Sequence, residues 1–148
     1  EPTSLVVNDL DKMYVFVNAV LVVLHKGGKI VCSSSNNPYA LIYLIKKHQV
    51  THALLDTYTT VNIINSMIGN SRWFTRIKLW YYKAKYLSSL SNMIVYGEVN
   101  ETKRKLFNRL KVNKTLAYCM TESAEILASK SGSISLNCSA NFFISLYK

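Results

Sequence analysis

Short apolar runs alternate with segments of helical spacing through most of the sequence, and this alternation limits the possible folds more than any other feature. Residues 29–32, 49–55, 90–95 and 115–118 are runs of β-branched and apolar residues, which are typical of buried strands. Two strands that are connected by a helix usually run parallel to each other in one sheet. The sequence therefore predicts an α/β fold, with a mostly parallel sheet flanked by helices on both faces.

Two early segments have the strongest helical signals. Residues 13–24 are apolar nearly all round and end at Gly27-Gly28, which predicts a buried helix and leaves a strand as the alternative. Asn37 and Pro38 provide an N-cap and a proline at the first helical position, and apolar residues at helical spacing follow them.

Three further segments are predicted as helices. Residues 59–68 and 100–110 have apolar positions on one side, and Thr121 is placed to cap a helix that continues through Ala128. No internal repeat, proline-rich linker or low-complexity block interrupts the order of the elements. We therefore expect residues 1–148 to form a single domain.

The cysteine content and the longest apolar run exclude several classes of protein. The three cysteines are widely spaced and outside any Cys-x-x-Cys motif, which argues against a disulfide framework or a zinc site. The apolar run at residues 13–24 is shorter than the roughly 20 residues that a membrane-spanning helix needs. We expect no membrane span and an intracellular protein, with the choice between cytoplasm and peroxisome left open.

The whole chain has a net charge of +10, and most of the positive charge is concentrated in its second part. Residues 72–85 combine lysines and arginines with aromatic residues, a composition that suits single-stranded nucleic acid. This segment covers only about a tenth of the 148 residues. A basic nucleic-acid-binding module is therefore an alternative hypothesis that the sequence does not favour.

Two motifs, in order and at matching spacing, carry a family resemblance. Residues 86–98 read Tyr-Leu-Ser-Ser-Leu-Ser-Asn-Met-Ile-Val-Tyr-Gly-Glu, and residues 118–122 read Tyr-Cys-Met-Thr-Glu. Weaker matches lie at residues 27–31, 44–52 and 130–134. On these residues the chain resembles the adenylate-forming (AMP-dependent synthetase/ligase) superfamily of acyl-CoA synthetases, 4-coumarate-CoA ligases and insect luciferases. It resembles the central part of the AMP-binding domain, as an incomplete, divergent portion of the N-terminal domain.

The resemblance implies a nucleotide site and its ligands. By it, Thr121 contacts the α-phosphate, Glu122 helps to bind Mg²⁺, and Tyr118 lies beside the adenine. Gly97 and Glu98 occupy the positions of the family's Gly-Gly-Ala stretch, which lines the adenine and acyl pocket. The implied cofactors are ATP or AMP with Mg²⁺, the implied substrate is a carboxylic acid, and CoA is a possible acceptor in the parent family.

Several departures from the family pattern bear on activity. Cys119 replaces a glycine, and Tyr96 and Glu98 replace small residues of the pocket stretch. The family's phosphate loop, its ribose-binding Asp and its catalytic Lys have no match in the 148 residues. We therefore expect a truncated or degenerate synthetase domain that is inactive alone. A protein-interaction module that self-associates through exposed sheet edges is a further alternative.

Overall fold

The seven strands in the described part of the chain belong to one sheet. The computed structural model describes residues 1–7, 10–69, 75–110, 112–119, 126–130 and 133–136. The strands are β1 (Thr3–Val7), β2 (Lys29–Ser33), β3 (His52–Asp56), β4 (Asn92–Tyr96), β5 (Asn113–Cys119), β6 (Ile126–Lys130) and β7 (Ser133–Leu136).

The first five strands are parallel, in the order β2-β1-β3-β4-β5, and β6 and β7 follow in antiparallel pairing. Strand β1 is thus inside the sheet, with Leu5 in register with Val31 on one side and with Ala53 on the other. The predicted α/β fold with a mostly parallel sheet is confirmed.

In the described residues, five helices connect these strands. Helix α1 is continuous through an α-helical start (Met13–Val15), a π-helical middle (Phe16–Leu21) and an α-helical end (Val22–His25). The others are α2 (Pro38–His48), α3 (Thr57–Ile68), α4 (Thr75–Tyr86) and α5 (Glu101–Arg109). None of the described helices combines the length and the apolar character that a bilayer crossing needs.

The helices lie on both faces of the sheet because the chain reverses direction within it. It passes from β1 to its neighbour β2 in one direction, and then from β2 past β1 to β3 in the other. Since such crossovers are right-handed, α1 must lie on one face and α2 on the opposite face. The two core clusters agree, because α1 residues pack with Val6 and Leu54, whereas α2, α3 and α5 residues pack with Leu5 and Leu55.

The prediction for residues 13–24 is correct in type and wrong in burial. Val15, Ala19 and Val23 are at most 1% exposed, but Met13, Phe16, Leu21 and Leu24 are 40–54% exposed. A single helix on a sheet can bury only one flank, and among the described residues no further layer covers the other. An apolar stripe of α1 is therefore on the surface.

The helix predicted from Thr121 through Ala128 is wrong for its last three residues. Ile126 to Ala128 belong to β6, which pairs antiparallel with β5 so that Ile126 is opposite Cys119. The outer edge of β5 offers hydrogen-bonding groups to a further strand. The pairing of β6 with this edge overrides the local helical preference. Thr121 itself lies outside the described residues.

Candidate functional site

The carboxyl ends of the parallel strands meet at one edge of the sheet, where α/β proteins usually bind ligands. The reversal between β1 and β3 makes this pair of strands the topological switch point, next to which such sites form. The strands end here at Val7 (β1), Asp56 (β3), Tyr96 (β4) and Cys119 (β5). The sheet topology alone therefore places a candidate site at this edge.

Asp56 links the end of β3 to the start of α3. Its Oδ1 accepts a hydrogen bond from the Thr59 N–H, and its Oδ2 accepts one from Thr59 Oγ1 at 3.1 Å. Thr60 Oγ1 donates to the Asp56 carbonyl at 2.8 Å. The carboxylate thus satisfies donors that the first turn of a helix leaves free, and its charge is favourable at the helix N-terminus.

Thr57 joins β3 to β4 at the same edge. Its Oγ1 donates to the Tyr96 carbonyl at 2.9 Å, and the side chain is 6% exposed. Gly97, the residue after Tyr96, has a φ of 103°, a conformation that strongly favours glycine. A Cβ added there would lie 3.3 Å from Thr57 Oγ1. Gly97 is also exposed, and a larger residue at this position would press on Thr57.

Tyr96 fills the sheet face beneath α1. It is 5% exposed and packs in the cluster that contains Val15, Ala19 and Ile94. Lys12, just before α1, holds its ammonium 5.4 Å from the centroid of the Tyr96 ring. The bulky residue in the pocket stretch therefore belongs to the core and does not project into the space beyond β4.

The predicted site residues fall partly within and partly beyond the described chain. Gly97 and Glu98 are at the carboxyl edge, and Glu98 is exposed, with its carbonyl accepting a hydrogen bond from Lys103 Nζ at 3.4 Å. The backbone of Tyr118 lies in β5, next to β4, but its side chain is outside the described part. Thr121 and Glu122 follow the end of β5 in sequence and also lie outside it.

Sequence reasoning missed Asp56 and Thr57 as members of this edge. The available signal was an Asp followed by four hydroxyl-bearing residues (57–60) after a buried strand, and an Asp at such a place is typical of a helix N-cap. Within the described residues, no group of three His, Cys, Asp or Glu side chains is placed to hold a metal ion. The predicted metal ligand Glu122 stays a prediction.

No family model matches the chain, and no curated protein is significantly similar to it in sequence. Solved structures are similar to it in fold. The o-succinylbenzoate coenzyme A synthetase of Bacillus subtilis, in complex with ATP and magnesium, matches with a TM-score of 0.65 at 11% identity, over 87% of this chain and 24% of that one.

Two further structures show the same likeness. The luciferase-like enzyme of the nonluminescent Zophobas morio mealworm matches with a TM-score of 0.63 at 18% identity, over 97% of this chain and 30% of that one. The Klebsiella oxytoca NpsA N-terminal subdomain, in complex with 3-hydroxyanthranilyl-AMSN, matches with a TM-score of 0.63 at 16% identity, over 90% of this chain and 31% of that one. The chain therefore spans 24–31% of the length of these chains, and it shares the fold of that part of them, as its motifs predict.

Proposed function

We propose that the 148 residues are a portion of an adenylate-forming synthetase domain that contributes one side of a nucleotide site. The observation that supports this most is the shared fold, which covers 87% of the chain in the match to the ATP-bound coenzyme A synthetase. The motif residues Gly97 and Glu98 also follow β4 at the carboxyl edge, next to the switch point. The adenine and phosphates would bind along this edge.

ATP or AMP with Mg²⁺ fits the described edge in one respect. Gly97 is exposed at the end of β4 and has no side chain, so a planar ring could lie against its backbone. By the family resemblance, Tyr118 would lie beside the adenine, the Thr121 hydroxyl would donate to the α-phosphate, and Glu122 would hold the metal ion. When bound, Mg²⁺ would offset the negative charge of the phosphates.

The same 148 residues are not expected to form an acyl-adenylate alone. Phosphoryl and adenylyl transfer depends on positioning and on preorganised charge, and the phosphate loop, ribose-binding Asp and catalytic Lys that supply these in the family have no match here. Because such groups act as a unit, the loss of several removes nearly all the rate. The carboxylic acid and CoA are thus proposed as ligands of the parent family only.

Isothermal calorimetry with AMP and with Mg²⁺-ATP tests the nucleotide site. We expect binding in the micromolar to millimolar range, and we expect Thr121→Ala and Glu122→Ala each to weaken Mg²⁺-ATP binding by about tenfold, because each removes a contact to a charged group. The chain offers a matched control pair, Glu101 and Thr102, which are exposed neighbours in α5. Glu101→Ala and Thr102→Ala should leave the binding unchanged.

Absence of heat with either nucleotide would contradict the proposed nucleotide site while leaving the fold as it is. Equal weakening by the α5 control pair would show that the heat arises from nonspecific binding to the surface.

We also propose that copies of the chain associate through the edge of the sheet. In the described residues, β2 pairs only with β1, so its other side presents unpaired backbone groups. The exposed apolar stripe of α1 lies on the element that connects these two strands. An unpaired edge and an apolar stripe together favour self-association.

Light scattering under reducing conditions over a range of concentrations tests this association. We expect the average mass to rise with concentration, and we expect Cys32→Lys to reduce the rise several-fold, because Cys32 is an exposed residue of β2 and a charge on an edge strand opposes pairing. Ser34→Lys adds the same charge just after the strand and should have little effect. A monomer at every concentration would overturn the proposal.

A further inference from the structure

Three helices on one face of the sheet carry no acidic residue. The sequence has no Asp or Glu at positions 12–55 or 57–97, and these stretches include α2, α3 and α4 in full. Their basic residues are Lys46 and Lys47 in α2 and Arg76, Lys78, Lys83 and Lys85 in α4. A helical surface usually mixes both signs of charge, so the sequences of these three helices are unusual in carrying only positive charge.

The same three helices line an open groove of about 690 Å³. Its apolar residues are Met67, which is 2% exposed, and Ile42, which packs against the core. Tyr39 and Tyr43 line it from α2, and Tyr82 and Tyr86 line it from α4. The volume is within the range of small-molecule sites, which are mostly apolar with a few polar groups.

Aromatic rings and ammonium groups meet in this groove. Tyr82 and Tyr86 are stacked, with ring centroids 5.7 Å apart and planes 21° from parallel. The Lys46 ammonium reaches from α2 to the α4 side and lies 5.2 Å from the centroid of the Tyr86 ring. Lys47 is 5.6 Å from the Tyr43 ring. The described lining residues therefore hold two cations against π-faces, and none of these residues is a carboxylate.

A third lysine, Lys85, strengthens the positive charge at this place. Its ammonium lies 5.2 Å from the Tyr86 ring and 5.5 Å from the Tyr81 ring. Hydrogen bonding to Tyr86 and to Tyr81 raises the pKa of Lys85, so this exposed side chain is charged at neutral pH. The Tyr86 ring at the groove therefore has an ammonium group from each helix within 5.2 Å of its centroid.

We propose that this groove binds a planar aromatic anion. The ring would pack on Ile42 and Met67 between the tyrosines, and the anionic group would contact the Lys46 ammonium. Aryl carboxylates and free nucleotides share this chemistry. The site is separate from the carboxyl-edge residues Gly97 and Glu98, and the proposal does not depend on the function proposed for that edge.

A single strand of nucleic acid suits the groove less well than a small ligand. Strand binding uses a row of rings along which successive bases stack. The aromatic residues of α4 are divided, since Tyr82 and Tyr86 line the groove, whereas Trp80 and Tyr81 do not line it and are 66% and 52% exposed. The structure therefore favours a single bound ring over a continuous stacking surface.

Calorimetry of the 148-residue chain with 2-naphthoate tests the proposal, because this probe is a planar aromatic carboxylate. Two analogues separate its features: cyclohexanecarboxylate keeps the charge without the aromatic ring, and 2-naphthalenemethanol keeps the ring without the charge. We expect 2-naphthoate to bind at least about fivefold more tightly than either analogue, since only it uses both the apolar residues and the ammonium groups.

Substitutions locate the binding. Lys46→Gln and Tyr43→Leu should each weaken 2-naphthoate binding by about fivefold to tenfold. Matched controls on other surfaces are Lys26→Gln, an exposed lysine after α1, and Tyr58→Leu, whose ring is 71% exposed in α3 outside the groove. Neither control should change the affinity. Equal losses in groove and control variants would overturn the proposal, and so would the absence of any 2-naphthoate or AMP binding that Lys46→Gln weakens.

Two further titrations distinguish the source of the anion. If AMP binds and Lys46→Gln weakens it while Thr121→Ala does not, the groove takes free nucleotides. If 2-naphthoate binds there and AMP does not, it takes aryl acids, and either result supports the proposal. Binding of oligo(dT) that tightens with strand length, without binding of 2-naphthoate or AMP, would assign the surface to single-stranded nucleic acid and overturn it.

Discussion

Phe107→Ala is expected to lower the free energy of unfolding by about 3–5 kcal/mol. Phe107 is 1% exposed and is among the largest fully buried side chains of the described residues. It is the buried residue of α5 and packs in the cluster that joins this helix to α3 and to the β4 residue Val95. Its removal would leave a cavity that the surrounding strands and helices cannot close, so both transfer energy and packing would be lost.

Urea denaturation followed by circular dichroism measures this loss. Phe107→Leu keeps most of the buried volume and should cost clearly less than the alanine substitution. Phe16→Ala removes the same side chain from the surface of α1, where the ring is 40% exposed, and should cost less than half as much as Phe107→Ala. Similar losses at the two positions would mean that the apolar stripe of α1 is covered in solution.

Gly28→Ala should be almost as damaging, with a loss of about 3 kcal/mol in the free energy of unfolding. An added Cβ would lie 2.3 Å from the Pro2 carbonyl oxygen and 2.8 Å from Val23 Cγ1. The Pro2 carbonyl is held in place because it accepts a hydrogen bond from the Lys29 N–H at 2.8 Å. The Val23 side chain is fully buried, so it has little room to move away. The clash would separate α1 from the start of β1 and β2.

The adjacent glycine is the matched control for this substitution. Gly27 has a φ of 67°, and a Cβ there would meet no atom within 4 Å. Gly27→Ala should therefore cost only the backbone strain, about 1 kcal/mol. Thermal or urea unfolding of the two variants separates the effects. A larger loss for Gly27→Ala than for Gly28→Ala would contradict the close approach of Pro2 to this turn.

Local sequence signals predicted most of the parallel sheet, because each buried strand is an apolar run with a turn or cap beside it. Strand β1 was missed, since residues 3–7 are short, begin with two hydroxyl residues and follow a proline. Helix α4 was also missed, since its basic and aromatic residues show only a weak apolar periodicity. The strand predicted from residue 49 starts at His52, because Gln49 adopts a left-handed conformation that ends α2.

The candidate sites were predictable only where a local motif marks them. Gly97 was found because its motif belongs to one stretch of sequence, and its positive φ agrees with a residue type that the position requires. The tyrosine groove had no such signal. Tyr43 and Tyr82 are about forty residues apart, and they line one cavity only because α2 and α4 both pack beside α3. Helix periodicity predicts which side of each helix is apolar and does not predict which helices become neighbours.

The interior position of β1 also determines when the sheet can form. Ser4 is in register with Ile30 and with His52, so pairing on the second side of β1 closes a loop of 48 residues. Loop closure of this size has an entropic cost that slows folding relative to a chain whose contacts are local. During synthesis β1 emerges before both of its partners, β2 and β3. Until β3 has been synthesised, the β1 residues Leu5 and Val6, which are buried in the folded sheet, stay accessible to other chains and to chaperones.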